Sequence, residues 1–176
     1  MNILLIQPPK AAITIGGEDV FLYEPRALEY IAAGVLPEHD VTILDMRLDK
    51  DLLQALADFQ PDVVGITAYT VHVNVVRRLF DQVKRWRADV LTVVGGHHAT
   101  VAPLDFVWPS IDLIVMGEGV TPFREIIRRC ETDDGFAGIP GVTFAHDGGL
   151  ASAPPQPAPD LDAAPLPARR LTARYR

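Results

Sequence analysis

Cysteine is almost missing from this chain: among 176 residues there is one, Cys130. A single thiol forbids an internal disulfide, and it forbids a zinc or iron–sulfur site built from several cysteines of these residues. Long apolar runs are missing too. No stretch reaches the roughly 18 apolar residues of a membrane span, and the Met1–Ile6 start lacks the basic region of a signal peptide. Basic charge is in deficit, with 16 Lys and Arg against 23 Asp and Glu and a net charge of −7. A protein that coats nucleic acid would show a basic stripe instead. The expectation is a cytoplasmic protein with no membrane span and no nucleic-acid partner. What is present is ordinary globular composition, 48% apolar and 22% charged, in a length suited to one core.

Apolar, β-branched runs recur at Ile3–Ile6, Val41–Leu44, Val63–Ile66, Val90–Val94 and Ile111–Met116. Each is nearly continuous, as in a parallel strand buried on both faces. Amphipathic stretches separate them. Leu28, Ile31, Ala32 and Val35 share one helical face, as do Leu52, Leu53, Leu56 and Phe59. Val75, Val76, Leu79, Val83 and Trp86 form a third, with Arg77, Arg78, Lys84 and Arg85 outside it. Phe123, Ile126 and Ile127 begin another, and two prolines make Ala99–Pro109 a broken or single-turn helix. This alternation predicts an α/β fold: a flavodoxin-like (Rossmann-like) three-layer sandwich around a five-stranded parallel sheet, order 2-1-3-4-5, with right-handed crossovers.

After Cys130 the rhythm changes. Val142–Ala145 and Leu150–Ser152 flank Asp147-Gly148-Gly149, a hairpin signal. From Ala153 onward proline and alanine dominate, which reads as an extended linker or arm. The arm's four arginines face only Asp160 and Asp162, leaving 12 basic and 21 acidic residues in the body. The expected organisation is a ligand-binding domain over 1–152 and a linker over 153–176.

In an open α/β sheet, ligands bind beyond the carboxyl ends of the strands. The loops there hold Gln7-Pro8-Pro9, then a long segment with Gly16-Gly17; Thr67-Ala68-Tyr69-Thr70-Val71-His72; Gly95-Gly96-His97-His98-Ala99-Thr100; and Gly117-Glu118-Gly119-Val120-Thr121. His39 belongs at the opposite end. This inventory excludes several tenants of the fold. A phosphoacceptor receiver needs an acidic pair where Pro8 and Pro9 stand and an Asp where Thr67 stands. A flavin mononucleotide loop needs backbone donors that those prolines remove. No G-x-G-x-x-G follows the first strand and no P-loop is present; Gly117-Glu118-Gly119 is a lone G-x-G. Gly95-Gly96 reads in two ways, as a tight turn needing positive φ or as a gap that admits a large planar or nucleotide-like group.

Several blocks together resemble a known family. They are Gln7-Pro8-Pro9, Glu24-Pro25 with Leu28–Ala33, Val41–Asp45, Pro61–Thr67, Val93–Thr100 and Asp112–Gly119. In order and spacing over about residues 1–145 the chain resembles the N-terminal cobalamin-binding domain of cobalamin-dependent radical S-adenosylmethionine enzymes, the group of hopanoid methylases and the anaerobic magnesium-protoporphyrin ester cyclase. The resemblance implies cobalamin at the carboxyl edge of the sheet. Its binding residues would be Pro8, Pro9, Thr67, Ala68, Tyr69, Thr70, His72, Gly95, Gly96, His97, His98, Gly117, Glu118 and Gly119, with the cofactor's nucleotide tail beside the double glycine. Thr67 and Tyr69 stand where other cobalamin domains have Ser and Leu. The D-x-H-x-x-G motif is absent, and residues 7–23 contain no histidine, so the resemblance implies cobalt without an imidazole from that loop. The tail resembles the segment before an iron–sulfur domain, whose C-x-x-x-C-x-x-C motif is not in this chain. A 4Fe-4S cluster and S-adenosylmethionine are therefore implied only for a full-length enzyme with a following radical domain, and no turnover is expected of these residues alone.

Two other readings stay open at this level. One is a stand-alone cobalamin carrier or sensor that meets a partner through its arginine-rich tail. The other is a small-molecule enzyme using His97, His98 and Glu118 as acid–base or metal groups. Single residues keep plainer roles as well. Adjacent histidines rarely share one ion, so His97 and His98 serve equally as polar edge residues or as caps of the next turn. His72 is either near the ligand or an exposed first-turn residue, Tyr69 packs the loop or covers a ring, and Glu118 is a carboxylate favoured by a helix dipole. Cys130 reads as a small buried hydrophobe. The Arg77–Arg87 face is either solvated or a docking surface.

Overall fold

The computed structural model describes residues 1–10, 22–147, 149–151, 153–157, 160, 162 and 164–175. The Gly16-Gly17 loop, Gly148 and Ser152 lie outside the described residues. Strand β1 is Asn2–Gln7, followed by α1 (Arg26–Val35), β2 (Asp40–Asp45), α2 (Leu52–Phe59) and β3 (Val63–Thr67). A 3-10 turn, Thr70–His72, leads into α3 (Val73–Trp86), then β4 (Leu91–Gly95) and the five-residue α4 (His97–Val101). Pro103 cannot continue α4, and the chain takes a 3-10 turn over Pro103–Phe106 instead. Then come β5 (Leu113–Val115), α5 (Val120–Thr132), β6 (Val142–Thr143), β7 (Ala145–His146) and β8 (Gly149–Leu150).

The sheet order is β2-β1-β3-β4-β5-β6, so the expected parallel order stands with one strand added. Ile3 lies opposite Val41 and Val63, and Thr67 opposite Gly95. The sixth strand corrects the expected hairpin. Val142 and Thr143 leave it and pair antiparallel with Val115 and Ile114, while only Ala145–His146 and Gly149–Leu150 form the separate hairpin. Burial explains the choice. Val142 and Thr143 are buried at the open edge of β5, and the Thr143 hydroxyl donates to the Ala151 carbonyl at 2.6 Å; the hairpin residues Ala145 and His146 are exposed.

Strand alternation divides the core between the two sheet faces. Leu4, Ile6, Leu44, Val64 and Ile66 meet Leu56, Val76, Phe80, Val83 and Phe106 on one face. Ile3, Leu5, Val63, Val93 and Leu113 meet Leu28, Ala32, Val35, Phe123 and Ile126 on the other. Both faces are covered, which is why the strands read as continuous apolar runs. Asp51 caps α2 by accepting the Gln54 amide at 2.9 Å. Half of the basic face of α3 is used internally: Arg77 stacks on Trp108 at 4.8 Å, and Lys84 donates to Asp112 at 2.6 Å.

The proline-rich tail docks on the body. Its last turn, Arg169–Tyr175, buries Thr172, whose hydroxyl donates to the fully buried carboxylate of Glu29 at 2.5 Å. The Ala168 amide donates to the Glu29 carbonyl, the Arg174 guanidinium to the Ile43 carbonyl and the Asp45 amide to the Tyr175 hydroxyl. Among the described residues no helix is long and apolar enough to cross a membrane.

Candidate functional site

Between α1 and α5, over the carboxyl half of the sheet, lies a cavity of about 570 Å³, within the roughly 300–1,000 Å³ range of small-molecule sites. Its floor is the sheet face that carries Leu5, Gly65, Val93 and Val115, and its walls include Leu28 and Phe123. Small residues set its dimensions. A side chain on Gly65 would meet Leu5 Cδ2 at 2.9 Å, and one on Gly119 would meet Ile31 Cδ1 at 2.7 Å. The α1–α5 contact is equally close: a Cβ on Gly34 would lie 2.7 Å from Val120 Cγ1, and Arg124 donates to the Gly34 carbonyl at 2.7 Å.

The two adjacent glycines do different work. Gly95 lines the cavity, and a Cβ there would meet Val115 at 3.8 Å, an ordinary van der Waals contact, so the position admits a side chain without a clash. Gly96 has φ +96°, and a Cβ would fall 2.6 Å from Thr67 Oγ1 and 2.8 Å from the Ala68 nitrogen. It serves the turn into α4. Gly96 has the positive φ that the tight-turn reading requires, while Gly95 stands on the cavity wall.

Of the fourteen expected residues, the cavity gathers Thr67, Gly95, Gly96, Gly117, Glu118 and Gly119. Glu118 uses its carboxylate to cap α5, accepting the Val120 amide at 2.7 Å and the Thr121 amide at 3.3 Å. This is the dipole-linked role. Gln156 of the tail braces the same turn: its amide oxygen accepts the Glu118 N–H at 2.9 Å and its amide nitrogen donates to the Glu118 carbonyl at 2.7 Å.

Pro8, Pro9, Ala68, Tyr69, Thr70, His72, His97 and His98 stand outside the cavity walls. Pro8 and Ala68 are buried; Tyr69, Thr70 and His97 are exposed on the carboxyl-edge loops. The Tyr69 ring meets that of His72 edge-on at 6.1 Å and lies tilted 6.4 Å from that of His97. His72 is not an exposed first-turn residue but buried, its Nδ1 facing the Tyr69 amide at 3.4 Å. His98 is also buried, with Nδ1 at 3.1 Å from Thr70 Oγ1 and Nε2 at 2.8 Å from Asp105 Oδ2. An edge position for the His98 ring is thus corrected: Phe106 offers an apolar surface and two polar partners satisfy both nitrogens. His97, His98 and Glu118 do not converge, and no three His, Cys, Asp or Glu among the described residues form a metal cluster.

The sequence and the fold of the chain both have counterparts among known proteins. The pattern of the B12 binding domain matches residues 12–127. The chain belongs to the B12-binding domain family. Its relatives include the uncharacterized methyltransferase PH0819 of Pyrococcus horikoshii, 31% identical over 183 residues that cover 97% of this chain and 39% of the relative. The anaerobic magnesium-protoporphyrin IX monomethyl ester cyclase of Rubrivivax gelatinosus is 28% identical over 181 residues, covering 92% of this chain and 31% of that one. In fold the chain is similar to the cobalamin-dependent S-adenosylmethionine radical enzyme OxsB with aqua-cobalamin bound, at a TM-score of 0.76 and 16% identity over 94% of this chain and 24% of OxsB. This B12-binding domain spans well under half the length of each of these proteins.

Sequence reasoning missed the apolar walls of the domain's cavity. Leu28, Ile31 and Phe123 carry the helical spacing of ordinary core residues, and nothing in that spacing separates a wall from a core. Gly65 was the available signal, because a glycine inside a buried strand marks a close approach of backbone or ligand.

Proposed function

We propose that this chain is the cobalamin-binding module of a radical S-adenosylmethionine enzyme, most simply a methyltransferase. The observation that carries the reading is the cavity opened by the missing Cβ of Gly95, with an apolar floor and a rim of Thr67 and the Gly117–Gly119 turn. Its size suits one arm of a large cofactor rather than the whole of it. The nucleotide tail of cobalamin would enter between α1 and α5, and the corrin would lie over the loop edge against Tyr69, His97 and the Pro8-Pro9 turn. When bound, the cofactor supplies a cobalt centre able to carry a methyl group.

The chain's own residues bind and orient. Leu28, Val93, Val115 and Phe123 exclude water from the buried arm, and the Thr67 hydroxyl offers a polar contact at the mouth. Tyr69 presents a ring to one corrin face. With one cysteine these residues do not hold a cluster, so the 4Fe-4S cluster, S-adenosylmethionine and the substrate fall to a following radical domain of the full-length enzyme. A cytoplasmic location belongs to the same reading.

The test is retention. The purified chain is mixed with hydroxocobalamin at micromolar concentration and passed through a desalting column, and absorbance gives the stoichiometry. About one corrin per chain is expected, with a spectrum lacking protein-imidazole ligation. Absence of retained corrin overturns the reading, and a histidine-ligated spectrum overturns the assignment of Tyr69 to the corrin face.

A further inference from the structure

We propose that His98 is a positioning residue: locked by Asp105 and Phe106, it fixes the Tyr69–His72 turn on which the corrin would rest. The inference builds on the cobalamin reading but comes from a separate set of contacts. The His98 ring is buried and meets Phe106 edge-on, with centroids 5.7 Å apart and an interplanar angle of 80°. Phe106 is itself fully buried and sets a fixed apolar surface against the ring. Nε2 lies 2.8 Å from Asp105 Oδ2 and Nδ1 3.1 Å from Thr70 Oγ1. An ionised carboxylate only accepts, so in the neutral ring Nε2–H faces Asp105 and Nδ1 accepts from the Thr70 hydroxyl.

One ring thus joins three segments: the loop after β3, α4 and the turn after α4. Backbone bonds tie the base of that loop, with the Ala68 amide donating to the Gly95 carbonyl and the His98 amide to the Ala68 carbonyl. Beyond Ala68 the loop rises into the exposed residues Tyr69, Thr70 and Val71. There the His98–Thr70 bond is a side-chain hydrogen bond to α4, beside the ring contact of Tyr69 with His97. Asp105 is steadied in turn by Arg77 of α3, which donates to its main-chain carbonyl at 3.0 Å. In the Gly95-Gly96-His97-His98 run, His97 is exposed at the loop edge, while the buried His98 would act through Thr70.

Asp105 is the place to test this, because it lies outside the cavity and half exposed, where truncation spares the core. Wild type, Asp105→Ala, Thr70→Val, the double variant and Thr70→Ser are compared by hydrogen exchange without ligand and by hydroxocobalamin titration. Asp105→Ala is expected to speed exchange of the 69–72 amides about tenfold, the worth of one hydrogen bond, and to weaken hydroxocobalamin binding by a similar factor. Exchange in β3 and β4 stays at the wild-type rate. Because both substitutions act through one ring, the double variant should lose about tenfold rather than a hundredfold, and Thr70→Ser should restore binding. Wild-type exchange at 69–72 in Asp105→Ala overturns the proposal, as do additive losses in the double variant. Failure of the wild-type chain to retain hydroxocobalamin overturns the cobalamin reading instead, and is seen before any variant is made.

Discussion

The two faces of the sheet are built from the same strands and the same kinds of residue, yet one is sealed and the other holds a cavity. On the sealed face Val64, Ile66 and Val94 meet Phe80 and Phe106, both fully buried. On the open face the alternate positions of β3 and β4 are Gly65, Thr67, Val93 and Gly95, and the space above them is divided between α1 and α5. The cavity is a matter of a few missing methyl groups at the carboxyl end of two central strands. On the proposed function, ligand binding belongs to the open face and should be separable by substitution from the packing of the sealed one.

The sharpest break in that comparison is Phe80→Ala. It should cost about 3–5 kcal/mol through lost burial and a residual void, read as a fall in the denaturant midpoint, while a folded fraction retains hydroxocobalamin with unchanged affinity. Next comes Gly95→Val, whose side chain has room in the apo fold. It should leave the melting temperature within a few degrees and weaken hydroxocobalamin binding about a hundredfold, equivalent to roughly 2.7 kcal/mol. Gly96→Val is no substitute, since the positive φ and the contact with Thr67 strain the fold itself. Thr172→Val removes the hydroxyl from the buried Glu29 and should destabilise by about 1–2 kcal/mol, measured by urea denaturation.

The smallest effect concerns the ion pairs that decorate α5 on the open side. Arg128 and Arg129 hydrogen-bond the Glu125 carboxylate and hold its pKa down to about 2 from 4.5. A lowered folded-state pKa gives stability that is present above about pH 4.5 and lost as pH falls through 2. These groups are largely solvated, so their contribution is small. Glu125→Gln should flatten the stability profile between pH 5 and 2 slightly, with no change in ligand retention.

Most of the sheet was legible because Ile3–Ile6, Val63–Ile66 and their counterparts are buried on both faces and leave no polar alternation to misread. The sixth strand was not. Val142-Thr143 is two residues long, and only the unpaired edge of β5 selects it. At the site, Gly95 and the Gly117–Gly119 turn stood out because a ligand edge needs small residues, whereas Leu28 and Phe123 are chemically ordinary. His98 was misplaced for a related reason: a polar side chain next to an exposed one looks exposed until Phe106 and Asp105 arrive from the following turn. The tail's docking was hidden by distance, since Thr172 meets Glu29 across 143 positions of chain.

The Gln156 brace bears on where this module should be cut. Composition marks residue 152 as a convenient end, since proline and alanine take over there. A fragment trimmed at that point would keep the five parallel strands and five helices but lose the amide pair that closes the Glu118 turn. It would also uncover Glu29, exchanging a buried hydrogen bond for water. For anyone transplanting the domain, the transferable unit is the body together with its proline-rich strap.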